Sequence, residues 1–202
     1  MPRITRIAVL LALALAPCLT LQVGSALAGE PRTHDGFFLR LSAGAGGAST
    51  ELDVPGLQTE LSGGTGDLNV AIGAVVASNL AIHGTLFGWS SSEPDIDVEG
   101  LGSGTLDGDL TMGAFGAGLT YYFMPVNIYL SGSLGAGSLS LDDSDSDTGV
   151  VGEIMLGKEW WLGGSWGLGA AGAFGFHSIP DGGIDENWSG TNWGIRLTAT
   201  LN

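Results

Sequence analysis

The strongest constraint on the fold is a two-residue alternation of apolar side chains with small or polar ones. It recurs in eight segments, whose first apolar residues are Phe37, Leu68, Leu80, Phe115, Ile128, Ile154, Trp166 and Trp193. A period of two is that of a β-strand whose two faces meet different surroundings. The pattern predicts an all-β chain of eight antiparallel strands.

The second face of these strands carries mostly Gly, Ser, Ala and Thr. In a soluble β-sandwich the apolar face fills the core, and the other face presents charged and bulky side chains to water. This chain has 36 glycines and only 13% charged residues. Small residues suit the crowded interior of a narrow barrel whose apolar face points outward to lipid. The sequence therefore favours a transmembrane barrel.

The connections between segments alternate in length. We predict long loops at 47–66, 90–108, 141–149 and 178–190, and short turns at 77–79, 124–127 and 162–165. Long loops on one rim and tight turns on the other are typical of outer-membrane barrels, with both termini on the periplasmic side. The predicted fold is an eight-stranded, antiparallel, up-and-down barrel with short periplasmic turns and long acidic extracellular loops.

The start of the chain has the features of a secretory signal. Arg3 and Arg6 precede an apolar run at 7–16, and the small residues Ala26 and Ala28 offer a cleavage site before Gly29. The run is too short for a membrane-spanning helix. We predict a signal peptide at 1–28 and a barrel domain at 29–202. Cys18 leaves open a lipoprotein signal, although Pro17 stands where that signal needs a small residue.

Chain length limits the number of strands. Sixteen strands of roughly 9 to 11 residues would leave almost no residues for loops, so an open porin is excluded. Eight strands leave ample room, and ten stay possible if a long acidic loop contains a hairpin. Five aromatic residues lie near strand ends on the short-turn side and are predicted to form a periplasmic girdle: Phe37, Tyr121, Phe123, Trp160 and Trp166. Four others lie toward the long-loop rim: Trp89, Phe176, Trp188 and Trp193.

Three stretches resemble the small eight-stranded outer-membrane barrels of Gram-negative bacteria, the OmpA-transmembrane, OmpX and OmpW-like group. They are HDGFFLRL at 34–41, GAGLTYYF at 116–123, and GKEWW at 157–161. The resemblance implies export through the periplasm to the cell outer membrane. It also implies contact with lipid and lipopolysaccharide, and insertion by the outer-membrane assembly machinery.

Several ionisable residues share the inward parity. They are Arg40, Asp67, His83, Glu153, Glu159 and Arg196. Charges in a narrow interior must be paired or hydrated. Arg40 and Arg196 lie on the first and last strands, which become neighbours when the barrel closes, and the two glutamates could neutralise them. We predict a polar network that plugs the lumen, as the resemblance also implies; the alternative is that some members lie in water at a rim.

The predicted long loops carry most of the negative charge. Sixteen of the 21 acidic residues lie in or beside them, and they contain no lysine or arginine. This balance excludes a nucleic-acid-binding surface. Asp143, Asp145 and Asp147 have the spacing that begins a calcium-binding loop, but the residues that follow do not match the later positions of such a loop. They are therefore weak candidates for a metal site. Weak binding of divalent cations at the loops stays an alternative. A solvated acidic rim is the favoured interpretation. No cofactor is expected.

One residue pair keeps an enzyme among the alternatives. His177 and Ser178 could act on lipid at the outer rim, with Asp181 or Glu186 orienting the histidine. Adjacent strand residues point to opposite faces, so their pairing would need a bend. We expect instead a non-enzymatic, monomeric barrel with a structural or surface-interaction role and a largely plugged lumen. The alternative function is a narrow channel, or lateral passage of small apolar solutes.

Overall fold

The computed structural model describes residues 34–142 and 144–201. The predicted signal peptide and Asp143 lie outside the described residues. In this part of the chain, no helix is long and apolar enough to cross a membrane. Its strands are β1 (Phe37–Val54), β2 (Leu57–Ala77), β3 (Leu80–Ser92), β4 (Asp95–Val98), β5 (Gly102–Thr105), β6 (Asp109–Phe123), β7 (Ile128–Leu141), β8 (Ser144–Asp145), β9 (Gly149–Leu162), β10 (Trp166–Pro180) and β11 (Asn187–Leu201).

Eight of these strands close into a ring. The hydrogen-bonded order is β1-β2-β3-β6-β7-β9-β10-β11, and β11 pairs again with β1. All neighbours in the ring are antiparallel. Closure leaves no unpaired edge in the wall. The prediction of an eight-stranded, up-and-down antiparallel barrel is confirmed.

The register gives the barrel its stagger. Paired residues can be followed once around the ring from Arg40, through Ala71, Thr85, Gly116, Gly135, Val151, His177 and Gly190, back to β1 at Thr50. The path returns ten residues further along the same strand. Strands with such a stagger tilt against the barrel axis, and eight of them enclose a bore just wide enough for side chains to fill.

The two ends of the barrel differ. At the turn end, β2–β3, β6–β7 and β9–β10 are joined by connections of two to four residues. At the opposite end, called the loop end, the strands extend far beyond the predicted lengths. The prediction of a loop at 47–66 is wrong, because β1 and β2 continue as a hairpin that is connected by Pro55 and Gly56. The flanking sequence keeps pairing because Gly, Ser and Thr are tolerated in a solvated strand.

The loop predicted at 90–108 contains a second hairpin, β4–β5. It pairs with the outer part of β2, so that β1, β2, β4 and β5 form a sheet extending from the loop end. The hairpin considered as a route to ten strands is therefore present, but it does not enter the wall. Its two strands have four residues each, which is too short to cross a bilayer.

The outward face of the wall is apolar on every strand. Each barrel strand exposes a large apolar side chain with 51% to 68% of its surface accessible. In ring order along the chain, these are Phe37, Ile72, Leu86, Phe115, Leu134, Ile154, Phe174 and Ile195. Two apolar clusters lie inside. The loop-side cluster includes Phe87, Trp89 and Met112, and the turn-side cluster includes Phe38, Tyr122 and Tyr129.

Candidate functional site

The structure places all six residues of the predicted lumen network inside the barrel. None exposes more than 4% of its surface; they are Arg40, Asp67, His83, Glu153, Glu159 and Arg196. Each lies on the inward parity of its strand. The sequence pattern alone therefore located these side chains, whereas their partners depend on the stagger of the barrel.

Arg196 is the centre of a charged layer between the two apolar clusters. Its Nη2 lies 2.6 Å from Oε2 of Glu153, and its Nε lies 3.8 Å from Oδ2 of Asp67. Asn69 donates from Nδ2 to Oε1 of Glu153 over 2.8 Å. A side chain at Gly194 would collide with the Asp67 carboxylate, so the glycine leaves space for this layer. A buried arginine beside two carboxylates is held by both Coulomb attraction and hydrogen bonds.

Arg40 is stabilised differently from Arg196. It donates to Ser131 Oγ over 2.8 Å and to Thr120 Oγ1 over 3.3 Å, and its guanidinium carbon lies 4.8 Å from the centre of the Tyr129 ring. Thr120 also lies 3.0 Å from Nε2 of His83. Within residues 34–142 and 144–201, Arg40 forms no salt bridge. Hydroxyl and aromatic partners replace the carboxylate that the sequence led us to expect.

Among the residues that the structure describes, Glu159 forms no salt bridge with an arginine, contrary to expectation. It accepts a hydrogen bond of 2.6 Å from Thr200 Oγ1. Six residues separate it from Glu153 on β9, which corresponds to about 20 Å along a strand. The two glutamates therefore occupy different levels of the bore, and Glu153 alone lies at the level of Arg196.

A residue that precedes the first strand is buried at the turn end of the barrel. The His34 ring stacks on Tyr122 with 3.5 Å between ring centres, and its Nε2 lies 2.8 Å from Oδ1 of Asn127. Asn127 in turn donates to the backbone carbonyl of Glu159 over 3.3 Å. The sequence does not reveal this role of His34, because nothing in the alternation indicates where the segment before β1 folds.

Trp89 and His177 lie in the loop-side part of the bore. Trp89 is 3% exposed and His177 is 3% exposed, with their ring centres 6.2 Å apart. Trp89 lies toward the loop end but points into the bore rather than outward, since it shares the inward parity with His83. His177 Nε2 lies 2.9 Å from Oγ1 of Thr50 on β1.

His177 and Ser178 do not form a catalytic pair. His177 faces the bore, while Ser178 is exposed on the other side of β10 and accepts from Asn187 Nδ2 over 3.4 Å. The two potential orienting residues lie beyond the end of the strand, and Asp181 bonds to Trp188 rather than to His177. No bend brings this nucleophile and this base together.

The calcium-like segment lies at the loop end. Asp145 and Asp147 are exposed, and Asp143 lies outside the described residues. Among the described residues, no three His, Cys, Asp or Glu side chains come close enough together to hold a metal ion.

Aromatic side chains are distributed around both ends of the wall. Phe37, Tyr121, Phe123 and Trp160 point outward near the turn end with 44% to 57% of their surface exposed, and Trp166 is half-buried beside them. At the loop end, Phe176 and Trp193 point outward. Trp188 points the other way and lines a cavity.

That cavity opens at the mouth of the bore on the loop end. It encloses about 190 Å³. Leu61, Leu110 and Leu139 form a buried floor that is also the top of the loop-side cluster. The remaining lining is Thr50, Leu141, Ser144, Asp145, Ser146, Asp181 and Trp188. The mouth therefore combines an apolar floor with a polar, acidic rim. The two-residue pattern does not indicate this cavity, because its lining comes from six separate strands and from the connections after β8 and β10.

Comparison with solved structures shows the same architecture in other proteins. Neisserial surface protein A, NspA, is 16% identical, with a TM-score of 0.61 over 82% of this chain and 96% of that one. The outer membrane protein OprG from Pseudomonas aeruginosa is also 16% identical, with a TM-score of 0.50 over 86% of this chain and 98% of that one. No family model matches the sequence, and no curated protein matches it. The chain thus has the fold of the small outer-membrane β-barrels.

Proposed function

We propose that this protein is an integral barrel of the outer membrane, with a lumen closed by side chains and a structural or surface-interaction role. The observation that carries the proposal is an arrangement of apolar and charged side chains opposite to that of a soluble protein. Large apolar side chains are exposed on all eight barrel strands, whereas Arg40 and Arg196 are buried inside. A soluble protein rarely exposes so continuous an apolar surface, and a lipid-facing barrel wall requires one.

Hydrogen bonds that cross the bore support the closed lumen. Arg40 and Ser131 lie on β1 and β7, which are opposite each other in the ring of eight strands. Asn69 and Glu153 lie on β2 and β9, which are also opposite. Side chains thus meet across the full width of the barrel at two levels. Apolar clusters fill the bore on both sides of the charged layer.

The sheet extending from the loop end supports a role at the cell surface. With the turn end in the periplasm, β4, β5 and the outer parts of β1 and β2 project away from the cell. Their exposed residues are mostly small or acidic, which keeps such a sheet soluble. We expect the barrel wall to contact lipid and lipopolysaccharide, and the outer-membrane assembly machinery to insert the chain as a monomer.

Fractionation and conductance test the two parts of this proposal separately. Recovery of the mature chain in the outer-membrane fraction is expected, and recovery among soluble periplasmic proteins would contradict the membrane assignment. In planar bilayers, the intact barrel should give no large, steady channels. Steady conductance through a properly folded sample would overturn the closed lumen and leave the membrane assignment unaffected.

The cavity at the loop end favours one second candidate function, the passage of small apolar solutes. Its leucine floor could receive such a solute, but Arg196 and its partners block the bore below. A solute would have to leave sideways through the wall. Uptake of a small alkane into liposomes that contain the barrel, compared with empty liposomes, tests this candidate; equal uptake rates would contradict it.

A further inference from the structure

The cavity at the loop end has two chemically distinct parts. Its floor consists of leucine side chains that are 4% to 5% exposed, and so it offers a dry apolar surface. Its volume of about 190 Å³ is below the roughly 300 Å³ of the smallest pockets that hold drug-sized molecules. The space therefore suits a short hydrocarbon group.

The wall of the cavity contains a carboxylate held next to an aromatic ring. Trp188 donates from Nε1 to Oδ2 of Asp181 over 2.8 Å, and the backbone N–H of Gly183 donates to Oδ1 of Asp181 over 3.2 Å. Asp181 and Trp188 both line the cavity. The two hydrogen bonds fix the orientation of the carboxylate, and each oxygen retains capacity to accept another. An indole face beside a carboxylate is a favourable environment for an ammonium group.

Charge around the opening has a single sign. Asp145 lines the cavity together with Asp181. The strands and connections at the loop end contain many carboxylates, and no lysine or arginine lies at 47–66, 90–108, 141–149 or 178–190. An opening that is lined by negative charges and has low-dielectric walls attracts positively charged ligands. It disfavours anions, so charge complementarity selects among ligands that would otherwise fit the apolar floor equally well.

We propose that this cavity binds small amphipathic cations: an alkyl group enters the leucine floor, and its ammonium group lies between Asp181, Asp145 and the Trp188 ring. The site is separate from the lumen network, since the loop-side apolar cluster lies between them. It adds a ligand-binding property to the barrel and does not require the lumen to conduct.

Three probes of nearly equal size test the proposal: hexylammonium, hexanol and hexanoate. Each is titrated into the barrel in lipid nanodiscs, with binding followed by calorimetry and by the Trp188 indole N–H resonance. Hexylammonium should bind about tenfold more tightly than hexanol, a factor that corresponds to about 1.4 kcal/mol. Hexanoate should bind most weakly. Equal binding of hexylammonium and hexanol would overturn the charge recognition, and absence of binding by all three would overturn the site.

Two variants and one control localise the effect. Asp181→Asn should remove most of the preference for hexylammonium over hexanol. Ser144→Trp, at an exposed lining position, should weaken binding of both probes by filling the cavity. Asp53→Asn makes the same charge change at an exposed residue outside the cavity and should leave the preference intact. An equal loss in Asp181→Asn and Asp53→Asn would show a general charge effect and contradict the proposal. The comparison of probes in the unaltered chain stands even if a variant fails to fold.

Discussion

Arg196 on β11 and Glu153 on β9 form a salt bridge of 2.6 Å inside the barrel, although β10 lies between them in the wall. The bond therefore joins strands that share no backbone pairing. Asp67 on β2 adds a third strand at 3.8 Å. The layer thus connects strands that are not neighbours in the wall, and its members should not contribute equally to stability.

Removing the arginine should destabilise the barrel more than removing either acid. Arg196→Met leaves Glu153 and Asp67 as unpaired buried charges, and we expect a loss of about 3 to 5 kcal/mol in the free energy of unfolding. Glu153→Gln should cost less, because Asp67 still faces the arginine. Unfolding of the barrel by urea in lipid vesicles measures both. Glu99→Gln, at an exposed position in the connection after β4, is the control and should change stability little. An equal loss for the arginine and glutamate variants would contradict the shared role of the two acids.

The ring of Tyr129 leaves no space for a side chain at Gly157. A Cβ at this position would collide with that ring, which lies under the Arg40 guanidinium. Gly157→Ala should therefore lower the free energy of unfolding by about 1 to 3 kcal/mol, as for an overpacked core. Gly172→Ala on β10 is the matched control, since a Cβ there meets no atom within 4 Å. If both variants unfold at the same urea concentration, the close approach at Gly157 has no energetic consequence.

The barrel could be predicted from the sequence because its side-chain period leaves no ambiguity about faces. The inward placement of Arg40, Glu159 and Arg196 follows from counting residues along a strand. Their partners could not be predicted in this way. Which side chains meet depends on the stagger of ten residues around the ring, and this is set by pairings between strands rather than by any single strand.

The loop end was harder to predict than the wall. Alternation of large apolar residues weakens where the strands leave the membrane, so the pattern predicts a loop at 47–66, although the outer parts of β1 and β2 stay paired. The cavity depends on how the connections after β7 and β10 fold over the bore. Trp188 and Asp181 meet there through a short chain reversal, which has no signature in the two-residue pattern.

Carboxylates face each other directly in the sheet that extends from the loop end. Glu51 pairs with Glu60, and Glu60 pairs with Asp97, so three acids stand side by side on neighbouring strands. Like charges directly opposite destabilise a sheet. Glu60→Lys should therefore stabilise this sheet by roughly 0.2 to 1 kcal/mol for each neighbouring pair. Hydrogen exchange of the β2 and β4 amides should slow. Glu99→Lys makes the same charge change in the connection after β4 and should not slow it; equal slowing would assign the effect to net charge.

A substitution on the outward face of β7 distinguishes a wall that faces lipid from a wall that faces water. Leu134 is 62% exposed on that wall, and Leu101 is 80% exposed in the connection between β4 and β5. In water, arginine would be tolerated at both positions. In a bilayer, Leu134→Arg should cost about 2 to 4 kcal/mol because it places a charge against hydrocarbon, whereas Leu101→Arg should be nearly neutral. Urea unfolding from lipid vesicles, with the unheated gel mobility shift as a check on folding, compares the two. If Leu134→Arg proves as stable as Leu101→Arg in lipid, then β7 does not face the membrane, and the apolar outer surface must be covered by another protein instead.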